Sequence, residues 1–193
     1  MRGISLKINA LDTSRYCKCM LLNRTVVVNL LSLLPGVFPA TAKCDARGRG
    51  VLTAKEVETI IREGAPMARD IDLTVEKIGA GGARVRVPFN ARNVRPGGTL
   101  SGPVMMALAD AAMYAAILGA LGKVEMAVTS NLNINFLQKP APADLVADAL
   151  VMKMGRRLAF CEVRVMSDRH DGLVAHVTGS YALPSFGTKE QLD

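Results

Sequence analysis

The sequence predicts an α+β domain, an antiparallel sheet wrapped around one long central helix, and three observations carry that reading. The segment from Pro103 to Leu121 is almost wholly apolar and rich in Ala, Met and Leu, as a buried helix requires. Two strand-like runs precede it and four follow it. The breaks between runs hold Gly, Pro and Asp, the residues of turns.

At 193 residues, half of them apolar, the chain is long enough for one substantial core and short for two. Residues 1–50 lack sustained periodicity and end in Ala46-Arg47-Gly48-Arg49-Gly50. That cluster divides an N-terminal extension, 1–50, from one domain over 51–193. Inside the extension, the apolar run Thr25 to Phe38 followed by Ala40-Thr41-Ala42 resembles an export signal. Asn29 and Pro35 interrupt the run, however, and the stretch ahead of it is over twenty residues long. A poorly ordered leader on a cytoplasmic protein is the expectation.

The domain opens with Thr53-Ala54-Lys55-Glu56, a capping box that satisfies free amides at a helix start. Val57, Ile60 and Ile61 give this short helix one apolar face, and Gly64 with Pro66 is expected to end it through a left-handed cap. Ile71 to Ile78 and Ala83 to Phe89 alternate as strands, with Gly79 to Gly82 as the hairpin turn. A polar, Gly-rich loop from Asn90 to Ser101 leads into the apolar helix. Its 19 residues extend about 28 Å at about 1.5 Å per residue. Ala127 to Leu137, Ala143 to Met154, Leu158 to Ser167 and Leu173 to Leu183 then complete the sheet, separated by Pro140-Ala141-Pro142, Gly155 and Asp171-Gly172. The helix approaches the length that crosses a bilayer. A central Asp costs about 2.5–3.5 kcal/mol on insertion scales, and Ala and Gly offset little of it. No membrane partner is expected.

A formal charge of +7 favours polyanionic ligands. Nucleic acid is not the expected partner, because aromatic residues are 4%, Trp is absent and the basic residues are scattered rather than gathered in a stripe. Cys17, Cys19, Cys44 and Cys161 suggest neither a disulfide framework nor a zinc site, and neither metal nor cofactor is expected.

Asp110 is the one charged residue between Pro103 and Leu121. A buried, unpaired carboxylate costs several kcal/mol, on the order of the desolvation of any lone charge. Asp110 therefore points at a pocket or an interface, or else pairs with an Arg or a backbone amide. In a dry pocket it would be tuned for proton transfer near neutral pH. Ahead of it, Gly97-Gly98-Thr99-Leu100-Ser101-Gly102-Pro103 delivers the chain into the helix N-terminus. Pro103 suits the first helical position, and Gly102 lets its N–H approach a ligand closely. A carbonyl against that amide would have its developing negative charge stabilised, unless the turn is merely a helix entry.

These residues carry a resemblance. Gly-Gly-Thr-Leu-Ser-Gly-Pro-Val-Met-Met-Ala-Leu-Ala-Asp, ending at Asp110, is similar to the signature of the PaaI-like hotdog thioesterases, roughly G-x-x-H-G-G, a short apolar stretch, then L-A-D. The resemblance implies a hotdog fold, acyl-coenzyme A as substrate, and a homodimer or homotetramer. It places Asp110 on the catalytic carboxylate and Gly102 on the glycine whose amide polarises the thioester carbonyl. Ala127 to Pro140 resembles the family's central strand, which puts Thr129 where a hydroxyl helps orient the attacking water. Gly155 to Phe160 resembles its basic turn, and Arg156 and Arg157 there are candidates for the coenzyme phosphates or plain surface charges. Ser101 stands where the family usually has His, and Pro103 replaces the second Gly. Those departures bear on rate and substrate range. Two rival functions remain: a non-catalytic acyl-CoA-binding protein, and an acyl-thioester dehydratase or hydratase. The latter typically needs a His, whereas His170 and His176 sit late in the chain without triad or metal spacing.

Overall fold

The computed structural model describes residues 52–79, 81–168 and 172–184. The extension 1–50, its three cysteines, its signal-like run and His170 lie outside the described residues.

Helix α1, Ala54–Gly64, starts at the expected capping box: Thr53 Oγ1 accepts from Glu56 N, while the Glu56 carboxylate accepts from Thr53 N. It buries Val57 and Ile61 against the core. Its end differs from expectation. Gly64 stays helical, and the cap is Ala65 in an extended conformation. Pro66 then starts a second short helix, α2, Pro66–Asp70, because proline is well suited to a first turn where its missing N–H is not needed.

Six strands form one antiparallel sheet: β1 (Thr74–Gly79), β2 (Gly82–Val87), β5 (Val128–Phe136), β6 (Leu145–Met154), β7 (Leu158–Ser167) and β8 (Leu173–Ala182), in the order β1-β2-β6-β7-β8-β5. The loop before the helix carries more structure than its composition suggests, namely a 3-10 turn over Ala91–Asn93 and a two-residue ladder of β3 (Val94–Arg95) with β4 (Thr99–Leu100). Asn90 fixes this turn by accepting from Arg92 N at 3.0 Å.

The sheet curls around α3, Gly102–Leu121, the hotdog arrangement the sequence predicts. Leu108, Ala109, Ala112, Met113 and the run Ala115 to Gly119 are buried beneath it. The helix's length and apolar character are thus those of a core element. Contact is very close at Gly119, where a Cβ would lie 2.5 Å from the Gly79 carbonyl oxygen. Only glycine lets the backbones approach so far.

One stripe of α3 escapes the sheet. Pro103 and Met106 are exposed, and Ala107, Asp110, Ala111 and Tyr114 are half-buried, at the three- and four-residue spacing of a single helix face. Met105 and Met113 face the core instead. The methionines flanking the acid in sequence therefore divide between core and open face. Beside this stripe runs β5, an edge strand whose nine residues are all exposed or half-buried, with Val128 58% and Phe136 51% exposed.

Candidate active site

Asp110 sits midway along α3 on its open stripe, and two hydroxyls converge on one of its oxygens. Thr129 Oγ1 donates to Asp110 Oδ1 at 2.6 Å, and the Tyr181 phenol donates to the same Oδ1 at 2.8 Å. Among the described residues, no Lys, Arg or His comes within ion-pair distance of this carboxylate. The alternative of an acid neutralised by an arginine is therefore not what these residues show. Nor is the acid sealed in a dry cavity within the single chain, where it is half-exposed.

Thr129 reaches Asp110 because β5 breaks step. Residues Leu132 and Ile134 pair with Gly179 and Val177 and pack against the core, so strict alternation would turn Ser130 inward and Thr129 away. The register slips between Thr129 and Asn131, and Thr129 becomes the partner of buried Tyr181. A bulge of this kind re-aims a side chain. Ser130, the extra residue, shares a hydrogen bond with the Ser180 hydroxyl at 2.8 Å.

Tyr181 is 3% exposed, and its ring stacks on Tyr114 with centroids 6.0 Å apart and planes 4° from parallel. Burial first, then the negative charge of Asp110, push the phenol's ionisation far above its ordinary value of 10.0. It remains a hydrogen-bond donor at any physiological pH. Sequence reasoning did not single out Tyr181. The available signal was a lone phenol among the small residues Gly179, Ser180 and Ala182 of a buried strand, a group that must find a partner.

Gly102 and Ser101 lie at the other end of the stripe. As the first residue of α3, Gly102 has no intrahelical acceptor for its N–H, and Ser101, the N-cap, makes no side-chain cap hydrogen bond. Pro103 occupies the second helical position rather than the first. The Phe136 ring covers Gly102, its Cζ 3.2 Å from where a Cβ would be. Eight residues separate Gly102 from Asp110, which is about 12 Å along a helix axis. The structure thus brings Asp110 and Thr129 together but holds Gly102 and Ser101 apart from them within one chain.

Arg156 and Arg157 are exposed in the turn joining β6 to β7. That turn shares an end of the sheet with the acid: Ala159 pairs with Tyr181, Tyr181 pairs with Thr129, and Leu183 N donates to Arg157 O at 2.8 Å. His176 faces the other way. It contacts Glu162 at 2.9 Å on the outer surface of the sheet, in an open depression also lined by Phe160, Thr178 and Ser180. Cys161 is a buried free thiol whose ionisation burial pushes up to about 11, so it is a poor nucleophile. No group of three or more His, Cys, Asp or Glu among the described residues could hold a metal ion.

The chain is similar to known proteins. A family model described as Thioesterase superfamily matches residues 97–173, from the glycine loop to the start of β8. The crystal structure of a candidate thioesterase from Silicibacter sp. TM1040 is 34% identical, covers 69% of this chain and 93% of its own, and superposes with a TM-score of 0.63. A mutant of the phenylacetic acid degradation protein PaaI from Thermus thermophilus is 27% identical over 62% of this chain and 99% of that one, with a TM-score of 0.55. A candidate esterase of Saccharolobus solfataricus is 28% identical over 134 residues, 69% of this chain and 87% of the relative.

Proposed function

The chain belongs to the thioesterase superfamily, and on that premise we propose that it hydrolyses acyl-coenzyme A thioesters to a free acid and coenzyme A. The observation that carries the reading is the setting of Asp110. It is an acid on the one uncovered face of the core helix, oriented by two neutral hydroxyls and, among the described residues, paired with no cation.

Asp110 acts in one of two ways. As a base it removes a proton from water while the oxygen adds to the thioester carbonyl carbon. Collapse of the tetrahedral adduct then breaks the C–S bond, and the departing sulfur recovers the proton. As a nucleophile its oxygen attacks that carbon directly, expels the thiolate and forms an anhydride that water then opens. In both routes the carbonyl oxygen gains negative charge, and the Gly102 N–H at the positive end of α3 is the donor suited to hold it.

The separation of about 12 Å along one helix means that Gly102 and Asp110 of the same chain cannot grip one carbonyl. Two antiparallel copies of α3 solve this, each supplying the acid to the other's glycine. The uncovered stripe of α3 and the apolar side chains along the free edge of β5 support a homodimer that pairs these elements. Such dimers pair further into a homotetramer in our reading. Arg156 and Arg157 stand at the acid's end of the sheet and are assigned to the coenzyme phosphates, with Ser101 bordering the reacting carbonyl.

A panel of acyl-CoAs, followed by release of free thiol from purified protein and from D110N, tests the proposal. Turnover by the parent and its loss in D110N are expected. Binding without turnover would make the protein an acyl-CoA carrier instead. A hydratase or dehydratase is disfavoured by His176, which points to the opposite side of the sheet from Asp110.

A further inference from the structure

Of the two side chains that hydrogen-bond the acid, Thr129 is exposed and Tyr181 is buried. We propose that Tyr181 is a positioning residue which, with Thr129, pins Oδ1 of Asp110 so that Oδ2 alone is presented to the substrate. The inference rests on Asp110 being the working carboxylate.

The geometry separates this role from that of an ordinary core tyrosine. A buried phenol needs an acceptor, and the Asp110 backbone carbonyl also accepts from it, at 3.1 Å. The contact to the carboxylate is shorter, at 2.8 Å. The ring has little freedom to leave, being 3% exposed and stacked on Tyr114. Both hydroxyls reach the same oxygen, and no donor among the described residues reaches Oδ2. An acid so held cannot rotate about its terminal bond without losing two charge-assisted hydrogen bonds. Thr129 alone would be a weaker restraint, since it is exposed on an edge strand. Tyr181 belongs to the packed interior and transmits that rigidity to a carboxylate at the surface.

Y181F deletes the hydroxyl and keeps the stacked ring. In a steady-state assay with an acyl-CoA that the parent turns over, kcat should fall about 10- to 100-fold, the worth of a hydrogen bond to a charged group, with KM within about twofold. In a D110N background the same change should cost almost nothing, because the group it acts through is gone. A second readout needs no turnover. The chain has no Trp and three Tyr, so its emission is tyrosine emission. A phenol donating to a carboxylate is quenched. D110N should therefore brighten the folded parent protein and leave Y181F unchanged. If no acyl-CoA is turned over but the emission responds, the assignment of function fails while the pinned carboxylate stands. The proposal is overturned if Y181F keeps the parent kcat, if it costs the same factor with and without Asp110, or if the emission ignores Asp110.

Discussion

Thr129 and Tyr181 stand opposite each other in neighbouring strands, and their hydroxyls meet on a single oxygen of Asp110. The acid is thus tied to the sheet, although it grows from the helix.

D110N should lower kcat by about 100- to 10,000-fold, the range of a positioned general base, while KM and the melting temperature change little. Thiol release and a thermal melt report the two quantities on the same sample. A rise in KM of similar size with kcat intact would move Asp110 from chemistry to binding.

T129V keeps the side-chain shape and removes the donor at 2.6 Å from Asp110. The expected loss is about 10-fold or more in kcat, and T129S should recover most of it. Recovery by serine separates the hydroxyl from the threonine methyl, which a purely steric role would need.

Subunit mixing tests the shared site. D110N and G102V should each be inactive alone, the second because its side chain would meet the Phe136 ring. Unfolded and refolded together, half the dimers should be mixed, each with one intact pair, giving about a quarter of the parent activity for a two-fold symmetric dimer. Activity that stays at background would show that both groups serve from one chain.

G119A places its methyl 2.5 Å from the Gly79 carbonyl oxygen and 2.7 Å from Ile78 Cγ1. Backbone cannot step aside as a side-chain tip can. A destabilisation of about 1–3 kcal/mol or more is expected, roughly 2–4 °C of melting temperature per kcal/mol, measured by calorimetry.

Glu58 gives the domain an acid-sensitive tie between α1 and β1. Burial is the largest influence on its carboxyl and acts upward. The Lys55 ammonium, the Val75 N–H and Arg62 together outweigh it and hold the group below its ordinary 4.5. A depressed folded-state value means the stabilisation is complete above 4.5 and drains away as the pH falls through that lower value. E58Q should be less stable than the parent by about 1–3 kcal/mol at pH 7. Urea titrations at descending pH should show the two converging below 4.5.

The framework was legible because its signals are periodic. Alternation located all six strands of the main sheet to within a few residues, and the unbroken apolar run gave α3 its bounds to within one. Asp110 stood out for a related reason, as the single charge in that run. What escaped was non-periodic. The restart of helix at Pro66 and the ladder of Val94–Arg95 with Thr99–Leu100 are too short to leave a pattern. Tyr181 escaped because its partner lies 71 residues away in sequence. Thr129 was named through resemblance alone. Alternation from Leu132 and Ile134 would have turned it outward, and nothing in the composition of the strand announces the bulge that turns it in.

That bulge acts as a parity switch. With Ser130 present, Thr129 lies an odd three steps from Leu132, and the bulge absorbs the extra residue so that the Thr129 hydroxyl still arrives on the helix side. Deleting this one residue would place Thr129 two steps from Leu132, on the helix side by plain alternation, and the bulge would have nothing left to correct. The aim of the Thr129 hydroxyl therefore tolerates an in-frame loss of three nucleotides at this point of the strand.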